Sequence, residues 1–218
     1  MAASKEELAS QALNRLGEPA ISSFDEDTDA AEKVGRLYEE TILALLSSYP
    51  WQWATTRAVL SIDGAITPAN KWRYAYKLPT LQLDRVGNPL RFYNSTDLRA
   101  PVVDDYELEG EHVFTNYTTM VAEYIQRKNE NLWPGYFAKL ARDALAADLA
   151  LPITESRTKE EYFQTLAFGT PSEEGQGGLM ARAMKSDIIG TPTASLLDES
   201  DPITSARFGG VRRSSGQW

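Results

Sequence analysis

Residues 133–152 read Trp133-Pro134-Gly135-Tyr136-Phe137-Ala138-Lys139-Leu140-Ala141-Arg142-Asp143-Ala144-Leu145-Ala146-Ala147-Asp148-Leu149-Ala150-Leu151-Pro152. Proline is tolerated in the first turn of a helix, where its missing N–H has no intrahelical acceptor. Behind it Phe137, Leu140, Ala141, Ala144, Leu145 and Leu149 recur at helical spacing and form one apolar stripe. Alanine at 138, 141, 144, 146, 147 and 150 allows a neighbouring helix to approach closely. The spacing predicts a helix that Pro152 stops, and an apolar stripe of this kind requires partner helices around it.

Those partners are legible on either side. Ser4 and Glu7 have the S-x-x-E spacing of a capping box, and Leu8, Ala12, Leu13 and Leu16 follow as a stripe. Gly17 supplies a left-handed C′ position and Pro19 prevents resumption. A second helix begins at Asp27 or Thr28, carries Ala30, Ala31, Val34, Leu37, Tyr38, Ile42, Leu45 and Tyr49 at the same period, and ends at Pro50. Its acidic residues crowd the N-terminal end, which the helix dipole favours. Beyond Pro152 a fourth helix starts near Ser156 or Thr158, passes Tyr162, Phe163 and Leu166, and ends at Gly169. A glycine-rich loop over 169–178 and a short helix over 179–188 follow.

Between the second and third helices the texture changes. Short runs at 57–62, 73–78, 81–86, 90–93, 106–109, 112–115 and 120–125 alternate with turn formers such as Gly87-Asn88-Pro89 and Asp104-Asp105. Gly110-Glu111 between 106–109 and 112–115 is the spacing of a two-residue hairpin. The expected fold is therefore α+β, mainly α. Its helical bundle, of antiparallel helices, is formed by 1–54 and 130–189, a small antiparallel β domain is inserted at 55–129, and an extended C-terminal arm covers 190–218. That last stretch is Gly-, Pro-, Ser- and Thr-rich without periodicity, so it is expected to order only on binding.

Composition limits the chemistry. The 218 residues are 42% hydrophobic and 10% aromatic, enough for a packed core. With 22 basic against 31 acidic residues the formal net charge is −9, which argues against a broad DNA-wrapping face and against a polybasic membrane surface. Cysteine is absent and His112 is the single histidine, so thiol chemistry and any site needing two imidazoles are excluded. No apolar segment reaches the length of a membrane span, and the N-terminus lacks the pattern of a secretory signal, so a soluble, cytosol-made product is expected.

The local motifs favour structure over catalysis. Asp25-x-Asp27-x-Asp29 begins like a calcium loop, but Ala30 and Arg36 stand where glycine and glutamate are required, so a helix N-terminus is expected. Gly175-x-Gly177-Gly178 follows no strand and is read as a flexible loop. His112, with Glu109 and Glu111 nearby, is read as a solvated strand residue. Trp51, Trp53, Trp72, Tyr74 and Tyr76 could stack on sugars or bases, though Trp51 and Trp53 suit a packing role better. A glycan or cell-wall hydrolase needs only two carboxylates, and nothing among the many here nominates a pair.

Several segments form a recognisable ordered set: Ala12-Leu13-Asn14-Arg15-Leu16-Gly17-Glu18-Pro19, then Ala30-Ala31-x-x-x-Gly35-x-x-Tyr38, Ser48-Tyr49-Pro50-Trp51-Gln52-Trp53-Ala54, Trp72-Arg73-Tyr74-Ala75-Tyr76-Lys77-Leu78-Pro79, Tyr106-Glu107-Leu108-Glu109-Gly110 and Leu149-Ala150-Leu151-Pro152-Ile153-Thr154. In this order, over roughly residues 5 to 170, they resemble the head–tail adaptor (connector) proteins of tailed bacteriophages, the tail tubular protein A family of short-tailed phages. The resemblance implies a structural virion protein and not an enzyme. It implies a ring, usually of twelve copies, that joins the portal vertex to the tail and lines the DNA channel. The implied partners are other copies of itself, the portal protein, a downstream tail or nozzle protein, and double-stranded DNA in passage without sequence-specific binding. No membrane partner and no cofactor or metal is implied, and the location is the virion head–tail interface after synthesis in the host bacterial cytoplasm. A tail-associated glycan or cell-wall hydrolase is the alternative. The arm residues Arg207, Phe208, Arg212, Arg213 and Trp218 are the expected portal anchor, because Arg and Trp concentrate binding energy at interfaces. Each copy brings a charge of −9, so a channel faced by the acids of 25–29 and the second helix would let a duplex slide.

Overall fold

Alanine decides how the helices pack. The computed structural model describes residues 4–189 apart from Asn70, Gln82, Leu83, Leu98 and Arg99. The described helices belong to one compact unit, Met1–Ile188, and the proposed anchor residues 207–218 lie outside the described residues. Helix α3, Gly135–Thr154, is buried on several sides at once: Phe137, Leu140, Ala141, Ala144, Leu145, Ala146, Ala147, Leu149 and Ala150 are all inaccessible or nearly so. Helices α1 (Lys5–Leu16), α2 (Asp29–Ser47), α4 (Arg157–Phe168) and α5 (Gly178–Ile188) each pack against it or against one another, and all five contribute to a single apolar cluster.

The helix ends follow their caps. Ser4 accepts from the Glu7 N–H, and Gly17 adopts φ 89° to close α1. Thr28 caps α2 by accepting from the Ala31 N–H, and Ser156 caps α4 by accepting from the Lys159 N–H. Pro152 does not stop α3. The helix runs on to Thr154, because proline removes only one N–H while the last turn is held by Glu155 N–H on the Leu151 carbonyl. Lys33 of α2 also donates to the Pro152 carbonyl at 2.8 Å.

The β block is two four-stranded sheets, with every named strand pair antiparallel. The strands are β1 (Thr55–Val59), β2 (Ser61–Ile62), β3 (Tyr74–Lys77), β4 (Val86–Tyr93), β5 (Val102–Val103), β6 (Tyr106–Glu109), β7 (His112–Thr115) and β8 (Val121–Ile125). The first sheet has the order β1-β8-β4-β5 and the second β2-β3-β7-β6. Ala58, Phe92, Val103, Ala122 and Tyr124 of the first share one apolar cluster with Tyr74, Tyr76, Leu108 and Val113 of the second. The expected hairpin is present: Glu109 faces His112 across Gly110-Glu111, with Gly110 at φ 58°.

Four strand expectations change. The run 57–62 is not one strand: β1 ends at Val59 and β2 begins at Ser61 in the other sheet. Of the run 81–86 only Val86 belongs to a named strand, and the Asp84 and Arg85 N–H groups both donate to the Thr80 carbonyl. Gly87-Asn88-Pro89, expected to separate strands, lies inside β4. Val86 faces Ile125 and Arg91 faces Glu123, so the β4 backbone bulges between them, and a bulge tolerates proline without a lost ladder bond. Val102–Val103 adds a short edge strand that the pattern did not announce.

Thus a mixed α+β fold is present, and none of its described helices is long and apolar enough to cross a membrane. Phe137→Ala should cost about 3–5 kcal/mol of unfolding free energy, because Trp51, Trp53 and Trp133 all pack on that ring. Urea denaturation followed by tryptophan fluorescence measures it, with exposed Leu151→Ala as a control expected to change stability by less than about 0.5 kcal/mol.

Candidate functional site

The chain leaves the helices after α2 and returns before α3, and both crossings meet in one neck. Thr55 of β1 faces Ile125 of β8, and the Gln126 N–H continues the pairing by donating to the Ala54 carbonyl. Lys128 Nζ donates to the Trp53 carbonyl at 2.8 Å, and Trp133 Nε1 donates to the Lys128 carbonyl at 2.8 Å. Trp51 is fully buried, with Nε1 donating to the Leu45 carbonyl. Trp51 and Trp53 are therefore packing residues of the neck. Trp72 donates Nε1 to Glu107, and Tyr76 donates its hydroxyl to the Tyr117 carbonyl.

A partly buried ion cluster lies at the same place. Arg127 donates to both carboxylate oxygens of Glu39 at 2.9 and 3.2 Å and to Glu130 at 2.6 Å. Tyr38 donates to Glu130 at 3.0 Å. Burial alone would push the Glu130 carboxyl up, but the hydrogen bonds, chiefly from Arg127, outweigh it and hold Glu130 below the usual carboxylate range. Burial, reinforced by the neighbouring Glu130 charge, drives the Tyr38 hydroxyl well above an ordinary phenol. A second carboxylate, Asp187 of α5, is also buried and accepts from the Gln52 N–H and the Tyr136 hydroxyl, both at 2.7 Å. It ties the last helix to the neck.

The sequence motifs resolve into local structure. His112 lies on β7 with Nε2 3.1 Å from Asp63, a partner far along the chain, while Lys77 and Glu109 flank it on the adjacent strands. Asp63 is held below its usual range first by the Ala65 N–H and then by His112. In the 25–29 stretch, Glu26 accepts from Ser22 and Ser23 and caps its own turn. Among the described residues no group of three acidic or histidine side chains is arranged to hold a metal ion.

The glycine loop is closely packed. The Glu173 carboxylate caps Thr170, and a Cβ on Gly177 would fall 2.5 Å from that carboxyl group. Gly178 has φ 53°, and a Cβ there would fall 2.5 Å from the Leu166 carbonyl oxygen. These glycines let the start of α5 lie against the end of α4, a role the sequence reading missed although the Gly177-Gly178 pair was its signal.

Two surface hollows stand out among the described residues. One, of about 210 Å³ on the first sheet, is lined by Arg57, Val59, Tyr93, Thr96 and Val121. Its polar groups satisfy each other: Arg57 donates to Glu123 at 2.6 Å and to Tyr93 at 3.1 Å, and Tyr93 donates to Glu123 at 3.1 Å. The other, of about 290 Å³, is an apolar groove between α4 and α5 lined by Tyr162, Thr165, Leu166, Gly178, Leu179 and Arg182. Tyr162 on its rim is 60% exposed. The arrangement suits the docking of a protein surface better than chemistry on a small substrate.

A group held below its unfolded pKa contributes stability that is complete above the unfolded value and lost as pH falls through the folded one. Below about pH 4.3 the wild type should therefore lose unfolding free energy more steeply than Glu130→Gln, as read from urea midpoints across a pH series. Gly178→Ala should cost more than about 2 kcal/mol, from the left-handed backbone and the contact with Leu166, whereas Gly64→Ala, in open space, should be near neutral in the same assay. The chain matches no protein-family model and no curated protein sequence.

Proposed function

We propose that this protein is a bacteriophage head–tail adaptor, a structural virion component that forms a ring between the portal vertex and the tail. The observation that carries the reading is where the resembling segments fall. Leu16-Gly17-Glu18-Pro19 is the end of α1, and Ala30-Ala31-x-x-x-Gly35-x-x-Tyr38 is the N-terminal half of α2, with Ala31 and Tyr38 buried. Tyr49-Pro50-Trp51-Gln52-Trp53 is one side of the neck, Tyr74–Lys77 and Tyr106–Glu109 are strands β3 and β6, and Leu151-Pro152-Ile153-Thr154 closes α3. Each segment stands at a point where the α–α–β–α–α order depends on it, so the resemblance bears on architecture and not on scattered identities.

The helices form the antiparallel bundle that packs on neighbouring copies, the β block faces the tail, and residues 190–218, which lie outside the described residues, grip the portal. Arg207, Phe208, Arg212, Arg213 and Trp218 supply the anchor, the arginines through charge-assisted hydrogen bonds and the aromatics by burial. The acids of 25–29 and the first turn of α2 face the channel, where like charge favours passage of duplex DNA over capture. In the ring the protein is an assembly component of the virion and carries no catalysis.

Sedimentation velocity tests this reading with full-length protein and a version ending at Gly190, each alone and mixed with the portal protein of the same genome. Full-length protein should move into a large closed complex in the presence of portal, and truncation should abolish the shift. Both versions remaining near 24 kDa beside the portal would refute the adaptor role.

A further inference from the structure

The groove between α4 and α5 has a charged counterpart on the other side of α4. Its floor is apolar, from Leu166, Leu179 and the ring of Tyr162, and its rim carries Arg182. Lys185 follows one turn along α5, and both cations are exposed. Neither makes an ion pair among the described residues, although most other arginines of the helices do: Arg15 and Arg142 with Asp143, Arg36 with Glu32, and Arg157 with Glu161.

Glu40 of α2, Asp148 of α3 and Glu160 of α4 converge on the opposite side. Asp148 is exposed as a residue, yet its carboxyl is drawn partly out of water, which raises its pKa. Glu40 and Glu160 raise it further, against the hydrogen bond it accepts from Thr41 at 2.5 Å. No cation is within ion-pair distance of these three carboxylates among the described residues. Glu160 and Tyr162 are two positions apart on α4, about 200° around the helix. One copy therefore presents the cationic apolar groove and the acidic patch in different directions.

The geometry points to a heterologous contact between copies of this chain, in which the α4–α5 groove of one copy, with Arg182 on its rim and Lys185 one turn further along α5, receives the Glu40, Asp148 and Glu160 patch of the next. A second copy is the occupant because it brings what each face lacks: the patch has uncompensated carboxylates, and the groove has uncompensated cations beside apolar surface that water now covers. Complementary patches on opposite sides of one helix give head-to-tail association, the kind that closes into a ring when the rotation per copy allows. The inference rests on the ring reading above and assigns it a surface.

The experiment uses full-length protein in two charge-reversed forms, Arg182→Glu with Lys185→Glu, and Glu40→Lys with Glu160→Lys. All four positions are at the surface or only half-buried, and circular dichroism with thermal melting verifies that both forms fold. Sedimentation velocity is run on each alone, on the equimolar mixture and on the wild type, with and without portal. Each variant alone should associate at least about a hundredfold more weakly than wild type. The mixture should recover assembly, because the reversed groove faces the reversed patch while the two native faces still match. Either variant assembling like wild type, or a mixture that fails to recover, overturns the contact and leaves the ring reading standing. A groove variant that assembles normally but no longer joins the portal reassigns the groove to the portal. Wild type that never associates, alone or with portal, removes both proposals.

Discussion

The chain has to leave the helical layer after α2 and re-enter it before α3, and everything else is arranged around making both crossings at one place. Pairing β1 with β8 brings Thr55 opposite Ile125, so the two crossing segments become neighbours with their backbone groups satisfied. Around them Trp51, Trp53 and Trp133 close on Phe137 with ring centroids 4.7 to 5.1 Å from it. Arg127 and Glu130 are then largely withdrawn from water, and Arg127 donates both to Glu130 and to the half-exposed Glu39, so the guanidinium is compensated on either side. A sheet block inserted on a looser neck would swing. Here each strand that enters is tied to the strand that leaves.

The helical layer depends on a different property, the small size of alanine. An alanine-rich α3 can be covered on most of its circumference because its neighbours approach to backbone distance, and one helix then nucleates contacts with α1, α2, α4 and α5. The last of these has the least sequence support. It is held by the Gly177-Gly178 approach to α4 and by Asp187, which takes two hydrogen bonds from the neck. The same arrangement leaves a groove between α4 and α5, lined from Gly178 and Leu179 to Tyr162 and Arg182.

Charge follows a division of labour. The neck uses paired, partly buried ions, and removing Arg127 would leave Glu130 without its cation. The surface carries unpaired carboxylates at Glu40, Asp148 and Glu160 and unpaired cations at Arg182 and Lys185, sets that no folding requirement explains. For a chain of net charge −9, concentrating unpaired cations beside an apolar opening distinguishes one face from the rest of the molecule.

Local chemistry made a large part of this legible in the sequence. Ser4, Gly17, Thr28, Ser156 and Gly169 act at helix ends within a few residues of themselves, so their meaning does not depend on the fold, and the Gly110-Glu111 hairpin is local in the same way. What needed the tertiary structure is what depends on distant partners. Pro152 stays inside α3 because Lys33 and the Leu151 carbonyl support the final turn, and Gly87-Asn88-Pro89 stays inside β4 because β8 tolerates a bulge opposite. The division into two sheets, the pairing of His112 with Asp63, and the convergence of Glu40, Asp148 and Glu160 all join residues dozens of positions apart. Periodicity and capping report only the nearest turn of chain, so the elements were the sequence's to determine. Which faces remained without partners was settled only when those elements packed.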